Sequence, residues 1–201
     1  MGTARTKLIL IAIATVALAA GCSDDSGGGD GNLRVLLEPE ETIVEGLAAG
    51  EAGCDECITD GYSVTFSKYI ATVGFVAMNQ AGGANPQDSA VVGVADFRTI
   101  ESSLPELTDF NGIPTGQYTS FGYETPIPDS SVVNVNEVDQ ADVTEMVDNE
   151  WSYIIEGTLT RESDGATIDF LVEADVPADY TDCALETEPE PGVNVTTNSS
   201  V

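Results

Sequence analysis

The sequence contains no histidine and very few basic residues. Its 201 residues include 6 Lys and Arg against 35 Asp and Glu, which gives a formal net charge of −29. Without histidine, the chain cannot itself form a Ser-His-Asp triad or a zinc site with histidine ligands. With so few cations it cannot neutralise a run of phosphates, which argues against a nucleic-acid binder that uses a basic patch.

Motifs of catalysis are missing as well. The sequence has no G-x-S-x-G, no phosphate-binding glycine loop and no set of a nucleophile with its base. The many acids would allow carboxylate pairs of the kind that hydrolyse glycosides, but no spacing singles out one pair. We therefore predict a protein that is not an enzyme and takes no cofactor, with a carbohydrate-active module as one alternative class.

The N-terminus has the pattern of an export signal followed by a cysteine for lipid attachment. Arg5 and Lys7 precede an apolar stretch, Leu8–Ala20. This stretch is shorter than the ~20 residues that cross a bilayer, and it fits the apolar part of a signal peptide. It ends in Leu18-Ala-Ala-Gly-Cys22, which resembles a bacterial lipobox with its leucine one position early. We expect cleavage before Cys22 and attachment of acyl chains such as palmitate; an ordinary signal peptide is the alternative.

The residues after Cys22 predict a spacer and then one domain. Residues 23–32 read SDDSGGGDGN, and such a segment without apolar side chains behaves as a flexible acidic tether. We predict a lipoprotein signal peptide at 1–21, a tether at 22–32 and a single domain at 33–201. Loss of Arg5 and Lys7 with the signal would change the net charge from −29 to −31. The expected location is the cell envelope, on a membrane and facing the periplasm or the exterior.

Strand patterns dominate the predicted domain. Val143, Met146 and Val147 have the spacing of one helix face, Asp139 can cap that helix, and it should end near Asn149. Several short strands and one short helix predict a mostly antiparallel β-sandwich. Strands are predicted within 62–78, 90–97, 107–123, 151–160 and 167–174, the last two as a hairpin, with a loop at 80–88 and a strand beginning near 192.

Three stretches carry a resemblance to a known group of proteins. They are residues 60–69 (DGYSVTFSKY), 112–118 (GIPTGQY) and 141–157. The first resembles the D-G-W-x-V-x-F-x-K-F opening of uncharacterised bacterial lipoproteins of the delta-proteobacterial type. The second is similar to the G-L-P-A-G-x-Y turn of those proteins and of other prealbumin-like surface domains. The resemblance implies a prealbumin- or immunoglobulin-like sandwich without an established activity. It also implies that the chain lacks a C-terminal segment in which that group carries histidines.

Three cysteines follow Cys22. Cys54 and Cys57 form a C-x-x-C with two acidic residues between them, and Cys183 lies far away in the sequence. Disulfides are expected in an exported protein. We expect a Cys57–Cys183 bridge, with Cys54 as the alternative partner of Cys183, which would contribute ~4 kcal/mol by closing a long loop. A local Cys54–Cys57 disulfide and an envelope metal-handling or thiol-redox role of this pair remain open, although acidic neighbours raise a thiol pKa.

Acidic and aromatic residues supply the remaining candidate sites. None of the acidic groups fits the spacing of an EF-hand calcium loop, so a solvated acidic surface is preferred and no metal site is predicted. The aromatic residues are expected to pack in the sheet rather than to line a ligand site. The expected partners are the membrane, through the lipid, and a protein or glycan ligand, but no nucleic acid. The acids considered are Asp24, Asp25, Asp30, Asp139, Asp142 and Glu145, and the aromatic residues are Tyr62, Tyr69, Phe75, Tyr118, Tyr123 and Trp151.

Overall fold

The computed structural model describes residues 29–50, 57–183 and 192–197, and these residues form a mostly β chain. Two α-helices and a 3-10 turn at Ala81–Gly83 interrupt the strands. The helices are α1 (Glu41–Glu45) and α2 (Gln140–Asn149). The strands are β1 (Asp30–Leu36), β2 (Ala48–Ala49), β3 (Cys57–Ile58), β4 (Tyr62–Gln80), β5 (Ala84–Asp88), β6 (Val92–Asp96), β7 (Glu106–Pro114), β8 (Gly116–Thr125), β9 (Val133–Asn134), β10 (Tyr153–Arg161), β11 (Thr167–Ala174), β12 (Ala178–Tyr180) and β13 (Val193–Val195).

The long strand β4 organises a nine-stranded, mainly antiparallel sheet. It pairs with β10 along its first half, with β6 in the middle, and with β8 and β5 towards its end. The strand order is β11-β10-β4-β6-β9, and β8 adds β12 and β13. The register shifts between Gly74 and Ala77, where Phe75 has a φ of 49°. This β-bulge bends β4 and lets one strand of 19 residues change partners along its length.

The main core lies between this sheet and a separate two-stranded sheet of β1 and β7. Burial alternates along β1, so that Leu33 and Val35 point inward while Asn32 and Arg34 are exposed. They join Tyr69 and Val73 of β4 and Phe110 of β7 in one buried cluster. The two sheets are therefore held together by the face that each turns inward.

Helix α2 covers part of the opposite face of the large sheet. Val143 and Met146 of the helix are buried with Ile70, Val94 and Ile154 of the sheet. The carboxylate of Asp139 accepts a hydrogen bond of 2.9 Å from the backbone N–H of Ala141, which caps the helix start. The helix predicted from Asp139 to Asn149 is confirmed.

The β-rich class predicted from the sequence is confirmed, and so is the β10–β11 hairpin, whose register runs from Tyr153 opposite Ala174 to Thr160 opposite Thr167. Two other predictions need correction. The chain has a second helix, α1, because Ile43 is 1% exposed and anchors this short segment in the core. The predicted loop at 80–88 contains strand β5, because its backbone pairs with β4 despite its turn-like composition.

The start of the described chain bears on the predicted domain boundary. Strand β1 begins at Asp30, inside the range 22–32 assigned to a tether, because Asp30 and Gly31 pair with Pro114 and Ile113 of β7. The predicted signal peptide and Cys22 lie outside the described residues. Within the described ranges, no helix has the length and apolar character needed to cross a membrane.

Candidate functional site

The cysteines do not pair as expected. Cys57 is disulfide-bonded, whereas Cys183 carries a free thiol, so the expected bridge between them is absent from the structure. Cys57 belongs to the β2–β3 pair near the start of β4, where Leu47 bridges Val64. Cys183 is held by a backbone bond to Phe121, whose partner is Met78 of β4. These two anchoring points lie at different places along β4, and Cys57 and Cys183 are not bonded to each other. Cys54 and Cys22 lie outside the described residues.

The environment of Cys183 does not favour a reactive thiol. The residue is half-buried beside the main core, next to the stacked rings of Tyr123 and Tyr180, whose centroids are 4.7 Å apart. Burial, followed by the negative charge of Asp182, raises the pKa of the Cys183 thiol. Because the thiolate is the nucleophile and the metal ligand, this thiol is poorly suited to either task at neutral pH.

Several tyrosines meet at the same end of the core. Burial raises the pKa of Tyr69 to about 12, and the pKa values of Tyr123 and Tyr180 rise further for the same reason. A side-chain hydrogen bond with Tyr153 contributes to the shift of Tyr180. These phenols stay protonated at neutral pH, so they pack and hydrogen-bond rather than act as bases.

The acids considered for calcium are used in the fold. Asp139 caps α2, and Asp142 forms an ion pair of 3.0 Å with Lys68, which also contacts Glu156 at 2.8 Å. Partial burial opposes the charge on Lys68, but these two carboxylates outweigh it and raise the pKa of the lysine. Glu145 lies on the exposed side of α2. Among the described residues, no three His, Cys, Asp or Glu side chains come together to hold a metal; Asp24 and Asp25 lie outside them.

Most of the aromatic candidates are structural. Tyr69, Tyr118 and Tyr123 are buried in the main core, as the packing interpretation expects. Trp151 packs against the α2 cluster. The remaining two are closer to the surface: Tyr62 lies under the Arg161 guanidinium at 5.5 Å, and Phe75 is 40% exposed.

Exposed apolar side chains concentrate on and next to β11. The exposed fractions are 50% for Ile168, 55% for Leu171, 44% for Val172 and 54% for Val176. Ile168, Phe170 and Val172 share one face of the strand, and they stand opposite Leu159, Gly157 and Ile155 of β10. We call Ile168, Phe170 and Val172 the apolar edge face. It belongs to the same face of the sheet as the main core, but Ile168 and Val172 are exposed instead of being covered.

A row of aromatic rings links the core to the apolar edge face. Phe66 packs edge-to-face with Tyr69 at 5.5 Å and with Phe170 at 6.3 Å between ring centroids. Gly157 makes room for this row, because a Cβ there would lie 2.7 Å from the Phe170 ring and 2.3 Å from the Thr65 carbonyl oxygen. The alternation in the sequence predicts that these three side chains share one face of β11. Their position at the border of the sheet is known only from the strand order in the structure.

Strand β11 also ends the sheet. It pairs with β10 on one side, and no described strand pairs with its other side. Comparisons of the chain with family models, with curated proteins and with solved structures found no match. Its function is therefore inferred from its own residues and geometry.

Proposed function

We propose that the protein is a non-catalytic lipoprotein of the cell envelope that binds a partner while acyl chains on Cys22 hold it on a membrane. The observation that carries the proposal is the N-terminal pattern, in which the apolar stretch Leu8–Ala20 follows two cations and leads directly to Cys22. Acyl chains anchor a protein without a membrane-spanning helix, provided that more than one chain is attached. The apolar edge face supports the binding role, because a contiguous exposed apolar patch is typical of an interaction surface.

We also propose a finer description of the fold and its relatives. The β1–β7 pair packed on one face of the large sheet supports a two-layer, prealbumin- or immunoglobulin-like antiparallel sandwich. The three stretches around 60–69, 112–118 and 141–157 support membership of the uncharacterised bacterial lipoproteins described above.

Replacing the lipid-attachment residue tests the anchor. Wild-type protein should sediment with membranes, and its N-terminal peptide should carry the mass of acyl chains on Cys22. Cys22→Ala should abolish this modification and release the domain, or leave an uncleaved precursor that has no acyl mass. Cys183→Ala is the matched control because its thiol is free and should leave anchoring unchanged. An unmodified Cys22 in wild-type protein would contradict the proposal.

A thiol-redox or metal-handling role for Cys54 and Cys57 is the second candidate. The observation in its favour is that Cys57 is disulfide-bonded, as the oxidised form of a redox pair would be. Thiol titration and metal analysis of natively purified protein separate the two functions. A stoichiometric metal, or a disulfide that cycles at the potential of a redox protein, would favour the second candidate; neither is expected.

A further inference from the structure

The border of the large sheet combines exposed backbone, apolar surface and negative charge along β11. We propose that β11 accepts an extended segment of another protein by strand addition, and that this segment alternates apolar residues with Lys or Arg. The inference deepens the proposed function and rests on it, since it names the partner class of the same edge.

The backbone of β11 has its hydrogen-bonding groups in place for another strand. Arg161 donates from its backbone N–H to the carbonyl of Ala166 at 2.8 Å, which sets the phase of the β10–β11 ladder. In an antiparallel ladder, every second residue turns its N–H and C=O to the neighbouring strand. Thr167, Asp169, Leu171 and Glu173 therefore turn theirs away from β10, towards the side where no described strand pairs. An unpaired edge of this kind is a template for strand addition.

One face of the added strand would be apolar. Ile168 and Val172 are 50% and 44% exposed on either side of Phe170, whose ring continues the aromatic row from Phe66. Residues directly opposite on adjacent strands share a face and contact each other. Every second residue of an incoming segment would thus cover the apolar edge face.

The other face of the added strand would be basic. Asp169 and Glu173 lie on the face opposite Ile168 and Val172, and neither forms an ion pair with a described residue. The carboxylate of Asp169 accepts a hydrogen bond of 2.9 Å from the hydroxyl of Thr158. Leu171 stands between the two acids and is 55% exposed, so it can be covered by the aliphatic stems of long basic side chains. Charge complementarity therefore selects Lys or Arg for these positions.

A second copy of the chain does not supply these charges. All four cations within the described residues are engaged inside their own copy: Arg34 with Glu106, Lys68 with Asp142 and Glu156, Arg161 with Asp164, and Arg98 with the carbonyl of Phe66. The net charge is −29 for the whole chain and −31 after cleavage before Cys22, so edge-to-edge pairing of two copies brings together like charges. Asp169 and Glu173 thus oppose pairing between the β11 strands of two copies, while they favour a basic partner.

A short synthetic peptide in which valine and lysine alternate is a suitable probe for the full-length chain. We expect saturable binding in calorimetry that weakens as NaCl is raised, because the charges are at the surface. A peptide that alternates valine with glutamate, and one with valines and lysines in separate blocks, should bind at least about tenfold more weakly. Equal binding of all three peptides, or none by the alternating one, would overturn the proposal.

Substitutions on β11 separate strand addition from simple adhesion. Leu171→Pro removes an outward N–H without touching the β10 ladder, and it should weaken binding at least about tenfold. Leu171→Ala keeps that N–H and is the matched control, with circular dichroism confirming that both variants fold. Asp169→Lys with Glu173→Lys should reverse the preference in favour of the valine–glutamate peptide. Unchanged binding by Leu171→Pro, or by the double variant, would contradict the inference.

Hydrogen exchange identifies what occupies the edge. In the free protein, the amides of Asp169, Leu171 and Glu173 should exchange fast and become protected when the alternating peptide binds. Protection of these amides without peptide, or a dimer that Leu171→Pro dissociates, would show that the chain or a second copy covers the edge and would overturn the proposal. Failure of this test with normal acylation of Cys22 removes strand addition but leaves the lipid anchor standing.

Discussion

At the scale of single residues, burial decides which chemistry each side chain can perform. Tyr69 is 6% exposed and Tyr123 is 5% exposed, and their phenols lie among other aromatic rings. Their charged forms are disfavoured there, which is why the pKa values of these groups rise. The same effect acts on Cys183, so the groups that would be most reactive when ionised stay neutral at physiological pH.

The buried tyrosines predict a loss of stability at alkaline pH. The pKa of Tyr69 is about 12 in the folded protein and about 10 when unfolded, so the folded state holds a proton that the unfolded chain releases. The stabilisation that the neutral phenol of Tyr69 gives to the folded state is fully present below pH ~10. It is lost as the pH rises towards ~12, where the free energy of unfolding falls by about 1.4 kcal/mol per pH unit. The urea midpoint should fall across this range. Tyr69→Phe should make the fall shallower and Tyr62→Phe should not; a midpoint that is constant to pH 12 would contradict the prediction.

At the scale of elements, local sequence signals and tertiary contacts contribute to different degrees to the formation of each helix and strand. Helix α2 has its own cap at Asp139 and its own apolar face, so its pattern is visible in the sequence. Helix α1 has a β-branched centre and no side-chain cap, and it depends on the burial of Ile43. Strand β5 has a turn-like composition and forms because β4 offers it a partner. Helix α2 could be predicted because its cap and apolar face lie in its own sequence. Helix α1 and strand β5 could not, because contacts with other segments stabilise them.

The two ends of α2 should respond oppositely to the same substitution. Asp139→Ala removes the hydrogen bond to the N–H of Ala141 and should destabilise the protein by about 1 kcal/mol. Asp148→Ala removes an acid near the negative end of the helix dipole, so it should be neutral or slightly stabilising. Urea unfolding of both variants measures the difference. Equal destabilisation by the two substitutions would show that the cap does not contribute.

At the scale of the whole molecule, unbalanced negative charge is the dominant feature. All four cations of the described residues are already engaged, and the 35 acids of the chain far outnumber its 6 basic residues. Mutual repulsion of this kind keeps a protein soluble and monomeric but opposes its compact state. It also predisposes the surface to partners with positive charge.

Salt should therefore stabilise the protein. Raising NaCl from 0.05 M to 0.5 M shortens the screening length and reduces the repulsion among the acids. We expect the melting temperature to rise by about 2–4 °C, equivalent to about 1 kcal/mol for a domain of this size. Calorimetry at both salt concentrations measures the shift, with the same change in sucrose osmolarity as control for solvent effects. A melting temperature that falls in salt would contradict the prediction.

The sequence by itself determined the features that depend on local chemistry. The charge balance, the strand-rich class, the β10–β11 hairpin and α2 follow from composition, period and capping residues close together in the chain. Only the tertiary structure decided which distant segments meet. The expected Cys57–Cys183 bridge is absent, because spacing in the sequence does not reveal which cysteines lie close enough to bond. The apolar edge face could not be recognised in the sequence, because Ile168, Phe170 and Val172 show the alternation of any half-buried strand. Whether such a face is covered depends on strand order, which is set by non-local pairing along β4 rather than by β11 itself.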